Sequence, residues 1–171
     1  MKRMAMFLFL VSVMVMASGC PAGGGIYGGG NTNGNTNDNG GGGGPGVEVT
    51  FRATLSGDNE VPPVQSSGTG TGTFTLNADA TELTFELTAS GLSGPVIASH
   101  FHKGAVGVAG GVLFEITNTI TENPDGTLTA SGTWPVSASD VTALLAGDVY
   151  VNLHTADHTL GEIRGQLVEQ P

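Results

Sequence analysis

The sequence predicts an all-β fold: an antiparallel β-sandwich or closed Greek-key-like barrel of about eight strands, with one short helix. Three observations predict it. From Val47 onward, apolar residues recur at every second position, the period of a strand with one face on a core. Clusters of Gly, Pro, Asn and Asp interrupt these runs, most clearly at Asn123-Pro124-Asp125-Gly126. The runs between the clusters are short and fall at fairly even spacing, as in sandwiches and barrels.

The first run shows the device plainly. Val47, Val49, Phe51, Ala53 and Leu55 alternate with Glu48, Thr50, Arg52 and Thr54, so one face is apolar and the other polar. Thr81–Ala89 repeats it, with Leu83, Phe85, Leu87 and Ala89 inward. Thr71–Leu76, Val96–His102, Val112–Thr117, Thr127–Trp134, Val149–His154 and Glu162–Val168 complete the set. The segment Asn118–Ala138 carries no motif and is read from periodicity alone, and Trp134, ahead of Pro135, is expected at the sandwich edge. Ser137 or Ser139 can cap a helix over Asp140–Ala146, with Gly147 as its stop.

The last two strands permit a register. A hairpin symmetric about Asp157–Thr159 sets His154 opposite Glu162, Asn152 opposite Arg164 and Tyr150 opposite Gln166 on one face. Leu153 then meets Ile163, Val151 meets Gly165 and Val149 meets Leu167 on the other. Polar and apolar residues separate cleanly, which a one-residue slip would destroy.

The folded part does not begin at the N-terminus. Lys2 and Arg3 precede an uncharged apolar run, Met4–Ala17, and small residues then lead to Cys20, the single cysteine. This is the layout of an export signal, and the run is too short for a standard membrane span. Ala17-Ser18-Gly19-Cys20 resembles the lipobox of bacterial lipoproteins. The resemblance implies a signal peptide over 1–19, acylation of Cys20 and a lipid anchor on the periplasmic or cell-surface side of the envelope. Residues 20–46 are this cysteine and a Gly/Asn-rich tether, with 13 glycines between Gly23 and Gly46. Such a chain has little to bury and is expected to behave as a flexible coil, spanning roughly 28 Å on average. The folded domain occupies 47–171.

Charge narrows the partners. Beyond the signal, Arg52, Lys103 and Arg164 stand against all 15 acidic residues. A surface so poor in cations cannot neutralise phosphates along a nucleic acid, so no nucleic-acid partner is expected. A lone cysteine also excludes an intramolecular disulfide. No Gly-x-Ser-x-Gly elbow is present, and Gly104–Gly111 lacks the lysine of a phosphate loop.

Histidines carry the sharpest chemistry. His100 and His102 lie two apart in a strand, hence on one face about 6.5–7 Å apart, and can turn two imidazoles to one ion. His154 can supply a third, a set suited to copper or zinc. The competing reading is architectural, with His154 bonded to Glu162 and Arg164 paired to Glu162 or Asp157. Glu60, Asn152, His158, Glu162 and Arg164 form a structural or binding rim, and Glu60-Val61-Pro62-Pro63 reads as a rigid turn.

Three stretches carry a family resemblance: Leu-Ser-Gly-Asp-Asn-Glu-Val-Pro-Pro-Val at 55–64, Ala-Ser-His-Phe-His-Lys-Gly at 98–104, and Tyr-Val-Asn-Leu-His-Thr with Gly-Glu-Ile-Arg-Gly-Gln-Leu between 150 and 167. Together they resemble the CHRD (chordin-type) domain, which implies an extracellular β-domain. A second, fainter resemblance is to copper–zinc superoxide dismutase, in which His100, His102 and His154 would be copper ligands. The sequence departs from that enzyme by lacking a disulfide pair and a bridging histidine after Lys103. The expected function is therefore a membrane-anchored, exported binding or interaction module without catalysis, facing a protein, glycan or metal partner. The alternatives are a copper or zinc metalloprotein and a structural envelope protein.

Overall fold

A computed structural model describes residues 46–171. The expected signal segment, Cys20 and the expected tether, through Pro45, lie outside the described residues.

The strands are β1 (Val49–Ser56), β2 (Thr69–Leu76), β3 (Glu82–Ser90), β4 (Val96–Lys103), β5 (Gly111–Glu115), β6 (Ile120–Glu122), β7 (Leu128–Pro135), β8 (Val149–Thr155), β9 (Ile163–Gln166) and β10 (Val168–Glu169). They form one antiparallel sheet in the order β5-β4-β8-β9-β1-β2-β3-β7-β6, with β10 also on β1. The two ends of that order, β5 and β6, are neighbours in sequence, joined by a 3-10 turn at Thr117–Thr119. The sheet is therefore curled on itself, consistent with the sandwich or barrel expected. Its flanks meet across aromatic rings: Phe101 of β4 lies 5.7 Å from Phe74, 5.5 Å from Phe85 and 5.1 Å from Trp134 between ring centroids. Packing of this kind adds about 0.5–1.5 kcal/mol per pair beyond simple burial.

Trp134 is thus a core residue rather than an edge one, 2% exposed and stacked on Phe101 and Phe114. The short helix α1 (Ala138–Leu145) begins at Ser137, whose hydroxyl accepts from the Asp140 amide while the Asp140 carboxylate accepts from the Ser137 N–H. It ends before Gly147, whose φ of 73° is the left-handed conformation that suits glycine after a helix.

Among the described residues ten strands stand where about eight were expected. β6 has three residues with one apolar side chain, too little for a period to show. The run Glu162–Val168 divides because Leu167 bonds back to Val149 through its amide, after which Val168 pairs with Arg52 of β1. The β8–β9 register is the one derived from polarity: Tyr150↔Gln166, Val151↔Gly165, Asn152↔Arg164 and Leu153↔Ile163.

The polar face of that hairpin is covered. Every residue of β8 is buried. Val149, Val151 and Leu153 join the core, whereas Tyr150, Asn152 and His154 lie beneath the 57–68, 104–110 and 156–162 loops, which bond back onto the sheet. This covered polar layer is where the chemistry lies.

Candidate metal centre

β4 places Phe101 in the core and sends His100 and His102 to the opposite face; β8 does the same with Leu153 and His154. The two strands pair with His100 opposite Asn152 and His102 opposite Tyr150. One ring nitrogen from each of His100, His102 and His154 lies within 4.8 Å of the other two.

The hydrogen bonds assign the tautomers. His102 Nδ1 lies 3.0 Å from the Gly110 carbonyl, which can only accept, so Nδ1 carries the proton. Its Nε2 is then a bare lone pair, and it is buried with no partner. His154 Nδ1 likewise donates to the Thr159 carbonyl at 3.1 Å. His100 Nε2 meets the Glu115 carboxylate at 2.9 Å, so in the neutral ring the proton sits there and Nδ1 is the bare nitrogen. That bare Nδ1 sits 3.2 Å from His154 Nε2, and His154 Nε2 sits 3.1 Å from Asn152 Oδ1. With all three rings neutral, three imidazole lone pairs and an amide oxygen converge. In neutral rings this is a repulsive arrangement, and a cation at its centre resolves it.

Titration favours the neutral, ligating form. Burial is the main force holding His102 and His154 below the usual histidine range, and the neighbouring imidazoles push in the same direction. Glu115 is also held low, chiefly by the Thr117 hydroxyl and secondarily by Thr117 N–H and His100, so it remains an acceptor for His100 Nε2–H. Outer partners of this kind, two carbonyls and a carboxylate, orient ligating imidazoles and raise their basicity. His100 is the most open of the three, its side chain 16% exposed against an exposed Glu115.

Around the triad lies a stacked support. The Tyr150 ring packs on His102 at 4.8 Å and 2° from coplanar, and the Arg164 guanidinium carbon lies 3.4 Å from the centre of the Tyr150 ring. Near Asn152, the Glu60 Oε1 atom is buried without a hydrogen-bond partner among the described residues. Burial raises the Glu60 pKa, against the opposing pull of Arg164 and Asn152.

The family model named the CHRD domain matches residues 51–167, more than half the chain. This chain belongs to the CHRD-domain family. The match includes every candidate site residue except Cys20. No curated protein and no solved structure matches the chain.

Within this CHRD domain the expected rim divides. Glu60, Asn152 and Arg164 gather beside the triad, and Glu162 and His158 do not. Glu162 is fully buried and does not bond His154. Its carboxylate accepts from Ser66 Oγ at 2.6 Å, Ser93 N at 2.8 Å, Ser93 Oγ at 2.7 Å and Thr155 Oγ1 at 2.6 Å. Burial pushes this carboxyl up, but those donors outweigh it and hold the pKa below its usual value. Glu162 is a clamp between loops. Thr155 displaces His154 as its partner because successive strand side chains point to opposite faces, and β9 begins only at Ile163.

Arg164 forms neither expected ion pair. Its Nη2 donates to the Ala105 carbonyl at 3.0 Å and to Gln166 Oε1 at 3.4 Å. His158 sits in the 156–162 turn, where its amide and carbonyl serve the backbone. Sequence reasoning missed Tyr150, Glu115 and the carbonyls of Gly110 and Thr159. Tyr150 had a visible signal, its place on the His154 face of β8; the carbonyls had none.

Proposed function

We propose that this CHRD domain is a non-catalytic binding module that holds one copper or zinc ion on His100, His102 and His154. The observation that carries the reading is the convergence of one nitrogen from each of three imidazoles, while the other nitrogen of each ring faces a carbonyl or carboxylate oxygen. Three histidines suit either ion, and Asn152 Oδ1, 3.1 Å from His154 Nε2, would be a further oxygen close to it. An acidic exterior attracts cations toward it. Membership of the family supports a binding module in the coarser sense.

The module is carried on an exported lipoprotein, with Cys20 lipidated and residues 20–46 acting as a tether from the envelope. The support is the positive n-region, the short apolar run and the small residues before Cys20. Mass spectrometry of the mature N-terminus in wild type and Cys20→Ser tests this part separately.

Elemental analysis tests the metal. The chain is dialysed against Zn²⁺ or Cu²⁺ without an affinity tag of histidines, alongside the His100→Ala/His102→Ala variant. About one ion per chain, absent from the folded variant, is expected. A folded wild type that retains no ion overturns the reading, and turnover of a defined substrate that depends on these histidines overturns its non-catalytic part.

A further inference from the structure

The covered polar layer has a second side. A cleft of about 670 Å³, bordered by Arg164 and by none of the three histidines, opens between β1, the 57–63 turn, the 104–110 loop and the C-terminal strands. Its size lies in the range of small-molecule sites. The described residues contain three cationic side chains, Arg52, Lys103 and Arg164, and two of the three border this one cleft.

Arg164 is 2% exposed, yet no carboxylate among the described residues lies within ion-pair distance of it. Its hydrogen bonds all leave from Nη2. Nε and Nη1 have no hydrogen bond to any described residue, and neither is a sealed atom. A buried guanidinium with spare donors facing a cleft is costly unless something accepts from them. Tyr150 covers one face of its plane, which fixes the fork in a single orientation. Arg52 stands on the exposed side of β1, at the mouth.

We infer that this cleft is a second binding site, for a small monocarboxylate with an apolar body, its carboxylate on Arg164 and Arg52. Charge sets the valence. Asp58 and Glu60 also border the cleft, so two cations face two acids, and a single negative charge is admitted where a polyanion is repelled. Apolar walls set the body: Val61 and Val106 line the cleft while 38% and 79% exposed, surface that an aliphatic or aromatic chain would cover. Planar, bidentate recognition of a carboxylate is what a pre-oriented guanidinium does best. The site needs no metal, so it stands or falls apart from the histidine centre.

The test is a titration of the metal-free full chain with octanoate, with octanol and inorganic phosphate as comparisons, read by calorimetry and by amide shifts of cleft residues. Octanoate is expected to bind once per chain, about tenfold or more tighter than either comparison, because each lacks one half of the recognition. Arg52→Ala removes an exposed charge without touching the core and should weaken octanoate about three- to tenfold at an unchanged melting temperature. Arg164→Lys, checked for folding by its melting curve, should weaken it further. Octanol binding as tightly as octanoate, phosphate binding more tightly, or an Arg52→Ala variant of undiminished affinity would each overturn the inference. So would the absence of octanoate binding up to roughly 10 mM.

Discussion

Glu162 offers the sharpest test of how the polar layer is held. Its fully buried carboxylate accepts four hydrogen bonds, two on each oxygen, from the 66–68 segment, the 91–95 turn and β8. Hydrogen bonds to a charged group contribute about 1.5–3 kcal/mol each, against about 0.5–1.5 for neutral pairs. Glu162→Gln keeps the shape and lets the Ser93 and Thr155 hydroxyls turn to accept from the new amide. It loses charge assistance on four bonds and regains part of that by not burying a charge, a net cost of about 2 kcal/mol. Glu162→Ala strands the Ser93 N–H and opens a void, for about 4 kcal/mol. An ordered domain of about 126 residues has an unfolding entropy near 0.26 kcal/mol/K, so each kcal/mol shifts the melting temperature by about 4 °C. Calorimetry should show falls of about 8 °C and about 16 °C, with Glu162→Gln still binding metal as wild type does. The depressed pKa adds a signature of its own. The clamp's contribution is present above the unfolded glutamate pKa and is lost as pH falls through the lower folded value, so the gap between wild type and Glu162→Gln should narrow in acid. A fall below about 2 °C for Glu162→Ala, or loss of metal in Glu162→Gln, would refute the assignment of Glu162 to architecture.

The histidines give the same kind of linkage at higher pH. His102 and His154 have folded pKa values below the ordinary 6.5, so above that value both states are neutral, and below it the unfolded chain takes up protons that the fold refuses. Stability of the metal-free chain should therefore fall as pH drops below about 6.5, with a shallower slope in His102→Phe; equal slopes in urea denaturation would contradict the burial of these rings as neutral bases. Gly161 has φ 126°, and a Cβ there would stand 2.3 Å from Glu60 Oε1 and 2.9 Å from Asn152 Nδ2. Gly161→Ala should cost roughly 2 kcal/mol or more and weaken metal binding by displacing Asn152, whereas an unchanged melt and affinity would show that the turn adjusts freely.

Much of this molecule was legible in one dimension. Alternation fixes which residues of β1, β3 and β8 face the core, because strand side chains alternate strictly and a slip would bury Glu82 or Arg52 in place of leucines and phenylalanines. The β8–β9 register followed from the same rule, as did the shared face of His100 and His102. The capped helix was legible too, because a serine cap and a terminal glycine act within a few residues of each other. Everything decided by non-neighbouring chain was not. Polarity marked one face of β8 as polar; three loops cover that face, and no local pattern encodes which loops fold over which sheet. His154 pairs with the Thr159 carbonyl and faces His100 rather than bonding Glu162, because β9 starts one residue later and Glu162 is turned toward Thr155. Trp134 stacks in the core because the curl of the sheet brings β4 against β7, a contact between strands far apart in the order. The residue types of a cation site could be read from the sequence. Only the tertiary structure turned three ring nitrogens toward one point, since the orientation of each ring depends on a carbonyl or carboxylate supplied by another part of the chain.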